Sequence, residues 1–261
     1  MAESSLSIGV TDLRAEVGYF LGYGRASASW TAAQLAEINS IVQSGVRRVY
    51  YPPAISAEVS GYEWSWLRPT KTLSITANDG DYDLPDDFGR LIGAFHYGAD
   101  EYRASVVVVS VGKLLAMRAA SALSDLPRYA AIRYKESTGA SGQRQEVLFY
   151  PEPNEAKTLS YEYEAYSGQL TDANPYPLGG MQLAELYTES CLAVAEARIN
   201  DEIGQHAQQY QALLVDAISR DRKRGARYYG QMGSPELTDF VRPRHGDTGS
   251  SYPITYKGET F

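Results

Sequence analysis

Five aspartates close together, Asp79, Asp81, Asp83, Asp86 and Asp87, are the sharpest chemical feature of this chain. Alternating carboxylates can ligate calcium, and an Asp-x-Asp pair can hold a divalent ion. The order here lacks the Asp-x-[Asp/Asn]-x-[Asp/Asn]-Gly run followed by a distant Glu. Asp81 and Asp83 share one face of an extended segment and Tyr82 takes the other. A solvated hairpin with a Pro85-initiated turn is therefore expected, and no metal. His96, His206 and His245 lie far apart in sequence, without an i+4 His or a nearby Cys, so zinc ligation is not expected either. Cys191 stands within a helical pattern with no His near it, which reads as a small buried hydrophobe rather than a nucleophile. There is no Gly-x-Ser-x-Gly elbow and no Walker motif, and Gly22-Tyr-Gly24 lacks the third glycine of a dinucleotide loop. Neither a cofactor nor an enzymatic activity is expected.

Two further clusters bear on binding. Trp64 and Trp66 share a face if their segment is extended. Exposed, they would stack on sugar rings; buried, they would pin one part of the fold to another, which is the commoner fate of large aromatics beside a proline turn. The run Arg220, Arg222, Lys223, Arg224, together with Arg227, reads either as a solvated helix end or as a contact for DNA phosphates or an acidic neighbour.

Composition narrows the classes. The chain has 261 residues, 44% of them hydrophobic and 21% charged, enough for one large or two small cores. A formal net charge of −8 argues against a surface that grips nucleic acid through its phosphates. It allows a surface that DNA slides past. With one cysteine no intrachain disulfide forms. The first residues show no basic and apolar signal pattern, and no apolar run is long enough to span a membrane. Tyrosine is abundant, 21 against 6 Phe, which suits half-exposed sheets and subunit interfaces alike.

The elements that must position these residues follow from periodicity. Thr11 to Leu21 reads as a short helix capped by Thr11, with Leu13, Val17, Phe20 and Leu21 on one face. Thr31-Ala-Ala-Gln34 is a capping box, with Trp30 and Leu35 at staple positions. Leu35, Ile38, Val42, Val46 and Val49 then make a stripe that ends at Pro52-Pro53. Short extended segments follow at Thr70–Thr76, Asp81–Leu84, Leu91–Tyr97 and Ser105–Val109, with a turn at Asn78-Asp-Gly. Ser110 caps a short helix through Leu114, Leu115 and Met117. Arg128–Lys135 and Glu146–Tyr150 flank a flexible tip. Lys157 to Tyr166 alternates most cleanly, with Leu159, Tyr161, Tyr163 and Ala165 on one face. Met181 to about Arg224 is helical, with a bend or break at Asn200–Gly204. After Gly225 the composition turns to Gly, Pro, Ser and Thr, as in a tail without its own fold. Tyr252, Ile254 and Tyr256 alternate there as in a strand laid on a partner, and Phe261 ends the chain.

These pieces, in this order, resemble the head-to-tail connector (adaptor) proteins of tailed bacteriophages. The resemblance rests on the helix pair ending Gly45-Val-Arg-Arg-Val-Tyr-Tyr-Pro and on Tyr62-Glu-Trp-Ser-Trp-Leu-Arg-Pro running into Asp81-Tyr-Asp-Leu-Pro-Asp-Asp-Phe. It rests equally on Leu148-Phe-Tyr-Pro-Glu-Pro before Leu159-Ser-Tyr-Glu-Tyr, and on the helices after Pro177. The resemblance implies an α+β fold: a helical bundle with an inserted antiparallel β-rich domain and an extended C-terminal tail. Its divisions would be N-terminal helices over 1–60, the insertion over 61–170, further helices over 171–226 and the tail over 227–261. It implies a structural virion protein at the neck, assembled in the host cytoplasm. Twelve copies would ring a channel beneath the portal protein, joining capsid to tail while double-stranded DNA passes. Tail hub, nozzle or fibre proteins would lie on the far side, and no membrane is involved. On this view Tyr252, Ile254, Tyr256 and Phe261 anchor the subunit to the portal. Two other classes compete: a carbohydrate-binding or fibre-attachment module of a virion tail built on the Tyr/Trp-rich sheet, and a metal-dependent enzyme built on the Asp79–Asp87 loop.

Overall fold

A computed structural model of the chain describes residues 4–54, 61–98, 105–137, 139, 142–200, 204–224, 255–256 and 259–260. Contacts divide the chain into two compact units, Met1–Gly225 and Ala226–Phe261. Among the described residues the first unit holds five α-helices and a seven-stranded sheet. The helices are α1 (Val10–Phe20), α2 (Ala32–Tyr50), α3 (Val111–Ala120), α4 (Ala184–Asn200) and α5 (Gln205–Arg224). The strands are β1 (Thr70–Ile75), β2 (Asp81–Asp83), β3 (Phe88–His96), β4 (Ser105–Val108), β5 (Tyr129–Tyr134), β6 (Gln145–Tyr150) and β7 (Lys157–Ala165). In the second unit β8 (Thr255–Tyr256) pairs antiparallel with β9 (Glu259–Thr260).

Helix starts follow local chemistry. Thr31 caps α2 as its sequence requires: its hydroxyl accepts from the Gln34 amide at 3.3 Å, and the Gln34 side chain accepts from the Thr31 N–H at 2.8 Å. α1 begins earlier than the Thr11 cap predicts. Gly9 stands at the N-cap, and its N–H donates to the Asp12 carboxylate at 2.9 Å. Trp30 does not serve mainly as a staple for Leu35, which is 38% exposed. Its ring instead covers Gly18, where an added Cβ would lie 2.5 Å from it, and its indole N–H donates to the Gly24 carbonyl.

Four of the helices share one core. Leu13 and Val17 of α1, Ile38, Val42, Val46 and Val49 of α2, Leu186, Tyr187, Cys191 and Val194 of α4, and Tyr210, Leu214 and Ile218 of α5 are all buried in it. α4 is the common neighbour, packing on α1, α2 and α5. The break predicted near Gly204 separates α4 from α5.

The sheet has its own core, built from the period of two. In β7, Leu159, Tyr161, Tyr163 and Ala165 are buried while the residues between them are less so. Strand order is β1-β7-β3-β4-β5-β6-β2. Two features depart from the sequence reading. First, the sheet is not wholly antiparallel: β4 and β5 run parallel, with Val107 opposite Tyr129. α3 is the crossover that a parallel pair requires, and it packs on β5 and β6. Leu148 and Tyr150 of β6 face α3 with Ala131 and Leu114, while Val147 and Phe149 face the main sheet core. Second, the Asn78-Asp-Gly turn does not close a hairpin. β1 pairs with β7 and β2 with β6, at opposite ends of the strand order. A link of five residues between the two ends requires the sheet to curl, and strands from both ends, through Ile75 and Phe149, line the same core.

Burial has a consequence for alkaline stability. It pushes the phenols of Tyr161, Tyr163 and Tyr210 and the thiol of Cys191 up to about 12. For Tyr163 a hydrogen bond to Asp87 adds to the effect. Each folded value stands above the unfolded one, so the associated stability is present below the unfolded value and lost as pH rises towards the folded one. The urea midpoint is expected to fall between pH 10 and 12, and Tyr161→Phe is expected to make that fall shallower.

Candidate functional site

The acidic loop is occupied by the protein's own cations. Asp81 pairs with Arg118 at 2.7 Å and Arg133 at 3.7 Å, Asp83 with Lys135 at 2.6 Å, and Asp86 with Arg144 at 3.2 Å. Asp87 accepts from the Tyr163 hydroxyl at 3.0 Å, and Asp79 from the Asp81 N–H at 3.2 Å. Arg118 also donates to the carbonyls of Gly80 and Phe149, both at 2.9 Å, and so ties α3 to β2 and β6. This ladder replaces the solvated hairpin expected from sequence. The partners come from α3, from β5 and the residue that follows it, and from the 142–144 segment, which no local pattern connects to the loop. Among the described residues no group of three or more His, Cys, Asp or Glu is placed to hold a metal. His206 meets Glu189 across α4 and α5 at 2.8 Å, while His96 ends β3 in an exposed position. His245 lies outside the described residues.

A second cluster forms where α5 ends. Trp64 is buried at 1% exposure, and its indole N–H donates to the Val49 carbonyl of α2 at 2.7 Å. The Trp66 ring stacks on it at 5.3 Å and Tyr62 meets it edge-on at 5.1 Å. Ser65–Leu67 is a 3-10 turn rather than an extended segment, which is how the two indoles come to stack. Trp64 is thus sealed into the helical core, with Trp66 packed against it, and is closed to a sugar ring.

The basic run of α5 meets this corner. Arg220 pairs with Asp216 one turn back, Nε to carboxylate at 3.0 Å. Arg222 lies over the Tyr62 ring at 5.3 Å, and Lys223 is exposed. The Arg224 side chain and all of Arg227 lie outside the described residues. Sequence reading missed the residue in their midst. Asp221 is 5% exposed, and its carboxylate accepts from the Tyr62 hydroxyl at 2.9 Å, the Ser65 N–H at 2.9 Å and the Ser65 hydroxyl at 2.5 Å. The signal was an acid in the last turn of a helix, where the helix dipole disfavours it.

Of the expected anchors, Tyr252, Ile254 and Phe261 lie outside the described residues. Tyr256 is in β8, which pairs antiparallel with β9.

The described residues thus give paired surface charges, buried aromatic joints and a helix end fastened to a corner. The chain belongs to the SU10 adaptor protein family, whose model matches residues 9–235. The resemblance to phage head-to-tail adaptors drawn from the sequence is borne out at this level. No curated protein matches the chain. Among the described residues no helix is long and apolar enough to cross a membrane.

Proposed function

We propose that the chain is the head-to-tail adaptor of a tailed phage, ringed beneath the portal in about twelve copies with DNA passing through its centre. The observation that carries this reading is the family match over residues 9–235. Tail components lie on the far side of the ring, and the protein's place is the virion neck, reached after assembly in the host cytoplasm. Residues 1–60 and 171–226 form the bundle, 61–170 are an insertion between them, and 227–261 are the tail. This division is supported by the single core that α1, α2, α4 and α5 share and by the separate core of the sheet.

A net charge of −8 per subunit, multiplied around a ring, would let DNA slide without sticking. Tyr252, Ile254, Tyr256 and Phe261 are the portal anchors, and Arg222, Lys223, Arg224 and Arg227 meet an acidic neighbour or the DNA backbone. Arg220 is the weakest member of that basic group, because Asp216 already takes its charge. Deleting residues 234–261 is expected to abolish portal binding in a co-sedimentation assay while the circular dichroism and melting of the remaining chain stay unchanged. Full binding by the truncated chain would sink the anchor assignment.

A further inference from the structure

Asp221 has no reason to be where it is on helix grounds alone. It lies in the last turn of α5, among Arg220, Arg222, Lys223 and Arg224. Cations suit that position, and a carboxylate opposes the partial charge of the helix end. It is nonetheless buried, and burying a carboxylate is costly unless it is fully bonded. Three donors satisfy it, and all belong to the Tyr62–Ser65 corner. The Ser65 N–H is the first of the 3-10 turn Ser65–Leu67, so Asp221 does for that turn what an N-cap side chain does, but from a different element. Trp64, next in the chain, seals against Val49, and β1 begins at Thr70, a few residues on. Leu67 is buried in the helical core and the Trp66 ring meets Tyr50 edge-on, while Glu63 pairs at the surface with Arg68 and Arg90, contacts that contribute little when exposed.

We propose that Asp221 makes the last turn of α5 and the Tyr62–Leu67 corner one two-state element: the turn is helical when the corner is ordered, and each releases the other. The segment after α5 starts at Gly225, so a partner that seats or unwinds this helix end, through Arg222, Lys223 or the chain just beyond, biases the corner from which the sheet starts. An interaction at the end of α5 is thereby transmitted to the corner that leads into β1. The consequence for assembly rests on the reading of the chain as a portal-docking adaptor. The coupling itself needs no partner, so either can fail while the other stands.

The test uses the full chain and three variants read by amide hydrogen exchange. Asp221→Asn removes the charge, Tyr62→Phe removes one donor, and Lys223→Pro disturbs the helix end without touching the corner. Proline at 223 removes one backbone donor and crowds the carbonyl of Ser219. Exchange across residues 62–67 is expected to rise at least tenfold in Asp221→Asn and in Lys223→Pro, and about threefold in Tyr62→Phe. Exchange in β7 and in residues 184–199 of α4 is expected to stay at wild-type rates. Exchange at 62–67 within twofold of wild type in both Lys223→Pro and Asp221→Asn would overturn the coupling. An equal rise in β7 would overturn it too, because the effect would then be global.

Discussion

Trp64→Ala is expected to destabilise the subunit by about 4 kcal/mol, the middle of the range for removing a large buried aromatic. The indole is enclosed, stacked on Trp66 and edge-on to Tyr62, and it joins the helical core to the segment that leads into the sheet. Its loss opens a cavity that Trp66 and Leu67, held by the 3-10 turn, cannot fill by a small shift. It also leaves the Val49 carbonyl without its partner, a further cost of about 1–3 kcal/mol where water cannot enter. Trp64→Phe separates the two contributions: most of the ring stays and only the hydrogen bond and some volume go, so about half the effect is expected. Urea denaturation followed by circular dichroism measures both. A loss below about 1 kcal/mol in Trp64→Ala would mean that the corner is not a joint at all.

Gly45→Ala sets two effects of opposite sign against each other. Mid-helix, alanine is favoured over glycine by about 1 kcal/mol, so propensity alone predicts a more stable α2. Packing predicts the reverse. A Cβ at position 45 would lie 2.6 Å from the Cys191 sulfur, 2.7 Å from its Cα and 2.9 Å from its backbone nitrogen. Two of those three atoms are backbone in the middle of α4, which the flexible end of a side chain could have yielded but a helix cannot. Ser190 meanwhile donates to the Gly45 carbonyl at 2.8 Å, fixing the two helices at this separation. Overpacking of this kind costs about 1–3 kcal/mol and more for larger side chains, so packing wins. Gly45→Ala is expected to destabilise by about 1–2 kcal/mol net and Gly45→Val by more than 3 kcal/mol. A rise in melting temperature for Gly45→Ala would show that α2 and α4 are less closely apposed than described.

What could be read from the sequence was what neighbours in the chain decide. The Thr31 cap needs only Gln34, and the alternation of β7 needs only its own nine residues. The break between α4 and α5 was visible because glycine and Asn-Asp stand together there. What could not be read was which distant element completes a local one. Asn78-Asp-Gly looks like a hairpin turn, yet β6 and β7 outcompete its flanking strands as partners for one another. The parallel β4–β5 pair needed α3 to be recognised as a crossover rather than as an isolated short helix. The aspartates of the loop looked like solvated carboxylates because Arg118, Arg133, Lys135 and Arg144 arrive from segments tens of residues away. Asp221 was hidden for the opposite reason: the basic residues around it dominate the local pattern, and only the Tyr62–Ser65 corner reveals that it points inward. Family membership was legible before the fold was, since it depends on the order of several short segments and not on how they pair.

The measurement that tests the adaptor assignment most directly is particle mass in solution, for the chain alone and after mixing with the portal protein of the same genome. A subunit-sized particle that becomes a ring-sized complex on the portal is the predicted result. A chain that stays a single subunit and leaves the portal's mass unchanged would contradict it.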